Sequence, residues 1–140
     1  MALAGAGNPV GGSNPSGISK GLNYVGDHAY AYSGQIQTSD SPKTHLEFFT
    51  GPSYLIGTLD CLGAVKADDI GSGTIAVFLL TLNDEEISTI KVDSEVEDQP
   101  SNSTIRIFIP PYTKVKITVD SLSSTAGFKT SCNITGRVYA

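Results

Sequence analysis

Tryptophan is absent from this 140-residue chain, histidine and cysteine occur twice each, and lysine and arginine together number only nine. Each shortage closes a class of function. Without tryptophan, any platform for stacking a sugar ring falls to tyrosine, and Tyr24, Tyr54, Tyr112 and Tyr139 are the expected exposed candidates. Nine basic residues against fourteen acidic ones leave a net charge of −5. That is the wrong sign for gripping phosphate backbones, so nucleic acid is not an expected partner. No run of eighteen apolar residues occurs, which excludes a membrane helix and predicts no membrane partner. The N-terminus lacks the basic start and apolar stretch of a secretory signal, and this predicts cytoplasmic synthesis without secretion.

The residues able to do chemistry are equally sparse. His28 follows Asp27 and could in principle enter a Ser-His-Asp arrangement, but no G-x-S-x-G elbow exists. The pair is therefore read as a hydrogen-bonding element at a turn or strand edge. H-E-x-x-H, a phosphate loop and a strand-borne G-x-G-x-x-G are all missing, so no catalytic, cofactor or metal residue is assigned and the chain is expected not to be an enzyme. Cys61 and Cys132 are too few for a zinc site or a disulfide framework. Both sit at small apolar positions, and reduced core thiols and a single disulfide are both open readings.

Charge is concentrated in one place. Asp84, Glu85, Glu86, Asp93, Glu95, Glu97 and Asp98 are half of the fourteen acids. The spacing of a calcium loop is absent. A solvated loop pair is the plain reading, and an acidic docking surface on Glu95, Glu97 and Asp98 is the functional one.

What remains is β patterning. Thr, Ser, Gly, Ile and Val dominate, and apolar residues recur with period two. "HAYAYSGQIQ" reads as one strand with Tyr30, Tyr32 and Ile36 on one face and Ala29, Ala31, Ser33, Gln35 and Gln37 on the other. "THLEFF" sets Leu46 and Phe48 against His45 and Glu47. "YLIGTLDCLG" sets Leu55, Leu59 and Cys61 against Tyr54, Ile56 and Thr58, with Gly57 marking a bulge or a close backbone approach. "GTIAVFLLTLN" is apolar on both faces, as in a central strand covered twice. "ISTIKV" and "TIRIFI" follow, and Pro110-Pro111 end the latter. Val115, Ile117 and Val119 then oppose Lys114, Lys116 and Thr118. The last strand sets Cys132, Ile134 and Val138 against Asn133, Thr135, Arg137 and Tyr139. Eight strands at this spacing predict an all-β fold: an eight-stranded antiparallel β-sandwich, jelly-roll-like, spanning residues 22–140, with an irregular Ig-like sandwich as the alternative.

Residues 1–21 differ from the rest. They hold six of the fifteen glycines and a single charge, Lys20, too little apolar surface to offset their ordering entropy. Such an extended N-terminal arm can follow a neighbouring surface and add a strand to an exposed edge. Ala4, Gly5, Asn8, Pro9, Val10, Asn14 and Pro15 are its candidate partner-binding residues.

The blocks "GLNYVGDHAYAYSGQIQ", "FFTGPSYLIGTLD", "IFIPPYTKVKITVDS" and "CNITGRVYA" resemble small all-β virion proteins of tailed bacteriophages, especially those of aquatic hosts. The resemblance spans residues 21–140 and carries no catalytic signature. It implies a capsid decoration or cement protein on the outer head shell, with the major capsid protein as partner and a homo-oligomer, a trimer in the first instance, as its form. A receptor- or glycan-binding fibre domain and a minor vertex jelly roll are the alternatives.

Overall fold

The computed structural model describes residues 12–13, 22–38, 41–65, 74–94, 102–121 and 129–139. The chain is all-β, and two antiparallel sheets face each other across one core. Its strands are β1 (Gly12–Ser13), β2 (Asn23–Val25), β3 (His28–Tyr32), β4 (Ile36–Gln37), β5 (Lys43–Thr50), β6 (Tyr54–Val65), β7 (Thr74–Leu82), β8 (Glu85–Ser94), β9 (Asn102–Ile109), β10 (Lys114–Ser121) and β11 (Lys129–Tyr139). Sheet A runs β1-β5-β10-β7-β8; sheet B runs β2-β3-β11-β6-β9, with β4 also on β11. Without the short strands β1, β2 and β4, the sheets are β5-β10-β7-β8 and β3-β11-β6-β9. Consecutive strands of this set alternate between the two sheets except at the β7–β8 hairpin, which is the jelly-roll order, and it replaces the Ig-like alternative. The eight expected strands are these eight, with β4 the detached end of the first of them, and β1 and β2 are additions to the expected set.

Alternation builds the core as the pattern requires. Val115, Ile117 and Val119 of β10, Leu55, Leu59 and Cys61 of β6, and Cys132, Ile134 and Val138 of β11 all point inward and are buried. Phe48 and Phe78 from sheet A are the largest fully buried side chains. Close-packed burial of this kind is the main favourable term in the fold.

Three expectations are corrected. "HAYAYSGQIQ" is two strands, broken at Ser33–Gln35, where Gly34 takes φ 69°. Within β3 the expected alternation holds and the alanine face is the inner one: Ala29 and Ala31 are buried, while Tyr32 is half exposed. The alanines lie opposite Gly136 and Ile134 of β11 on the inner face, and the tyrosines take the open side. His45 is fully buried instead of opposing Leu46. The ladder between β5 and β10 pairs Leu46 with Ile117 and then Thr44 with Thr118, so His45 is the extra residue of a β-bulge and turns inward beside Leu46. There its Nε2 lies 2.8 Å from Thr130 Oγ1 on sheet B, and its Nδ1 lies 3.2 Å from the Lys43 carbonyl. A polar bridge thus joins the two sheets inside the core. Finally, β7 is buried on one face only. Ala76, Phe78 and Leu80 are in the core, whereas Ile75, Val77 and Leu79, on the opposite face, are only half-buried.

One end of the sandwich is fastened by a single hydroxyl. Thr50 Oγ1 accepts from the Thr113 N–H at 2.8 Å and donates to the Pro110 carbonyl at 2.8 Å, while the Thr50 N–H donates to the Thr113 carbonyl at 2.9 Å. This holds the Pro110–Thr113 turn against β5. Thr50→Val keeps the shape but strands a buried N–H, so a loss of about 1–3 kcal/mol is expected in urea unfolding. An unchanged midpoint would show that water replaces the hydroxyl.

Candidate functional site

The arm residues Ala4, Gly5, Asn8, Pro9, Val10, Asn14 and Pro15 and the acidic residues Glu95, Glu97 and Asp98 lie outside the described residues. Of the arm, only the backbone of Gly12–Ser13 is described, and it pairs antiparallel with Thr50 and Phe49 at the edge of sheet A. The described acids Asp84, Glu85 and Glu86 sit at the exposed β7–β8 hairpin. Asn83 and Asp84, at φ 52° and 66°, form its two-residue turn. The Asp84 carboxylate approaches Lys114 Nζ at 3.4 Å. No group of three or more His, Cys, Asp or Glu able to hold a metal ion occurs among the described residues.

The side chains that do converge lie on the outer face of sheet B. Alternation turns Tyr54 and Ile56 outward from β6, Phe108 from β9, and Arg137 and Tyr139 from β11. The register brings them together: Tyr54 is opposite Tyr139, and Ile56 is opposite both Phe108 and Arg137. Tyr54 and Tyr139 stack with ring centroids 5.3 Å apart at an interplanar angle of 13°, and Tyr54 meets Phe108 at 5.6 Å in a tilted pair. Ile56, Phe108 and Tyr139 are 39%, 55% and 37% exposed, so the cluster is open to solvent. Large apolar side chains held rigidly on a sheet face and left wet mark an interaction surface.

A charged relay borders this cluster. Arg137 Nη2 lies 2.7 Å from Asp27 Oδ2, and Asp27 Oδ1 lies 2.8 Å from His28 Nδ1. The guanidinium also sits over the Tyr139 ring, 5.8 Å from its centroid. Asp27 belongs to the two-residue turn between β2 and β3, where Gly26 has φ 62°, and its carbonyl accepts the Val138 N–H at 2.8 Å. The Asp27–His28 pair therefore has the hydrogen-bonding role expected of it, and it orients Arg137 besides. An arginine fixed by a carboxylate, with its face on an aromatic ring, is pre-organised for a planar or anionic partner group.

The four tyrosines expected to be exposed separate into three kinds. Tyr24 packs half-buried against the core, which corrects its assignment, and burial raises its phenol pKa. Tyr54 and Tyr139 stack on one another. Tyr112 stands alone at the tip of the β9–β10 turn, 74% exposed and at φ 53°. Left-handed backbone at a bulky residue is costly and is held here by the Tyr112 N–H donating to the Gly51 carbonyl at 2.8 Å. Phe108, Ile56 and Arg137 were missed from sequence as site residues. They come together only through the β9-β6-β11 register.

A second apolar feature opens at the side of the sandwich where β8 and β9 end their sheets. A groove of about 240 Å³ runs between them, lined by Leu80 and Leu82, Ile87 of β8, and Ile105 and Ile107 of β9. Ile87 is the extra residue of a bulge in β8, opposite the step from Leu80 to Thr81, and is 55% exposed.

No family model and no curated protein matches the chain. Among solved structures, the VP2 subviral particle of infectious bursal disease virus aligns at a TM-score of 0.42 and 16% identity, over 77% of this chain and 30% of that one. The present chain thus spans under a third of the length of the chain it aligns with.

Proposed function

We propose that the protein is a structural component of a virion, a decoration or cement protein that docks on the outer shell of a phage head with the major capsid protein as its partner. The observation that carries this reading is the open patch of Tyr54, Ile56, Phe108 and Tyr139 beside the carboxylate-held Arg137. Aromatic residues and arginine are the types that protein contacts favour, and a jelly-roll sheet presents them without ordering cost. The sequence resemblance supports the same role, and strand addition by the N-terminal arm supplies a second contact in this reading. Shell symmetry then multiplies contacts that are each modest.

Co-sedimentation with purified heads tests it. Tyr54→Ala with Tyr139→Ala is expected to weaken head binding at least about tenfold while the sandwich stays folded by circular dichroism, because central aromatic anchors carry most interface energy. A folded double variant that binds heads as tightly as the parent would remove the patch from the interface. A second reading, a glycan- or receptor-binding fibre domain, is favoured by Tyr112 alone, displayed in strained backbone at a loop tip. A glycan array with Tyr112→Ala as control separates the two.

A further inference from the structure

Among the described residues four strands end the sheets, and they are protected unequally. β1 and β2 have two and three residues. β8 is long but bulged at Ile87 and carries Glu85, Glu86, Lys91 and Asp93. Short length, bulges and charge are the usual means of keeping an edge from pairing with another chain. β9 is neither short nor bulged, and it is nearly without charge. It runs eight residues, "NSTIRIFI", against β6 without a break in register, and Arg106 is its one charge. No described strand pairs with its far side, where every second residue turns its N–H and C=O outward. Arg106 is exposed and makes no ion pair or hydrogen bond to any described residue.

The sequence of this edge is complementary to itself. Antiparallel pairing of two copies about a two-fold axis at Ile107 sets Arg106 opposite Phe108 of the second copy, twice by symmetry. On the inner face it sets Ile105 opposite Ile109, beside the apolar groove. A guanidinium directly across from an exposed aromatic ring is a favourable cross-strand pair. Centring the axis on Arg106 would place two guanidinium groups face to face, and centring it on Ile105 would spend Phe108 on Asn102. We propose that β9 is a homodimer interface, pairing with β9 of a second copy in the Ile107-centred register and joining the two B sheets into one. A two-fold contact of this kind is isologous and closes on itself, so it yields a dimer and not a fibre.

Sedimentation of the purified full chain alone tests this without reference to heads, so its outcome is separate from that of the docking role. The parent is expected to dimerise at micromolar concentration. Phe108→Lys puts a lysine across from Arg106 and is expected to weaken the dimer about a hundredfold, since facing like charges cost several kcal/mol. Adding Arg106→Glu restores opposite charges in the same register, and R106E/F108K is expected to recover most of the lost affinity. Both positions are exposed, and a thermal melt verifies that each variant is folded. A monomeric parent, an F108K variant that dimerises like the parent, or a folded double variant that stays monomeric would each overturn the proposal.

Discussion

Gly57→Ala is expected to lower stability by about 3 kcal/mol or more, at the upper end of what overpacking costs. Gly57 of β6 and Gly136 of β11 face each other in the ladder, within a row that reads Ala29, Gly136, Gly57 and Ile107 across four strands. A Cβ added at Gly57 would stand 2.7 Å from Gly136 Cα, and one added at Gly136 would stand 2.5 Å from the Ile56 carbonyl oxygen. These obstacles are backbone in the middle of a sheet, so no side chain can rotate away, and relief requires the two central strands to part. Gly136→Ala is expected to cost a similar amount. The double variant should cost less than the sum, because the first methyl already spreads the strands. Urea unfolding of the three variants measures this, and a Gly57→Ala midpoint within 1 kcal/mol of the parent would mean that the strands separate freely.

Alkaline pH is expected to destabilise the fold by about 4 kcal/mol between pH 8 and 10.5. Cys61 and Cys132 are free, fully buried and directly opposite in the β6–β11 ladder. Burial pushes the Cys132 thiol up from its ordinary 9.0 to about 12, although a hydrogen bond from Ser33 pulls the other way. Cys61 is raised as well, first by burial and then by the neighbouring charges of Cys132 and Asp60. Unfolding restores the ordinary value. Above pH 9 the unfolded chain therefore releases two protons that the folded chain keeps, and unfolding is favoured as pH rises. The stabilisation is complete below pH 9 and decays at up to about 1.4 kcal/mol per pH unit per thiol, until Cys132 itself ionises near pH 12. Tyr24, raised by burial from 10.0, adds in the same direction higher up. Urea midpoints at pH 8 and 10.5 read the effect, and C61A/C132A should flatten it whatever its baseline stability. Equal midpoints in the parent would show that the thiols are not titrating, as they would not in a disulfide.

Much of the architecture was legible because period-two alternation encodes it directly. The inward residues of β6, β10 and β11 were identified one by one, and Gly57 was recognised as a point of close approach. Alternation separates the Tyr30–Tyr32 face of β3 from its alanine face, but it does not say which is inner when one carries alanine and the other tyrosine. It also fails at a bulge, where one extra residue reverses the phase, and this is why His45 was assigned to the wrong side. The candidate site was legible only in fragments. Tyr54 and Tyr139 stood out for want of tryptophan, but Asp27, Phe108 and Arg137 lie on other segments, and strand pairing between distant residues brings them together.

That pairing also governs how the molecule is made. β3, β4 and β6 all lean on β11, so a ribosome has emitted every other strand of sheet B before their common neighbour exists. Until β11 emerges, Ala31, Leu55 and Leu59 lack their neighbours Ile134 and Val138, and the nascent polypeptide waits with the middle of this sheet unfilled.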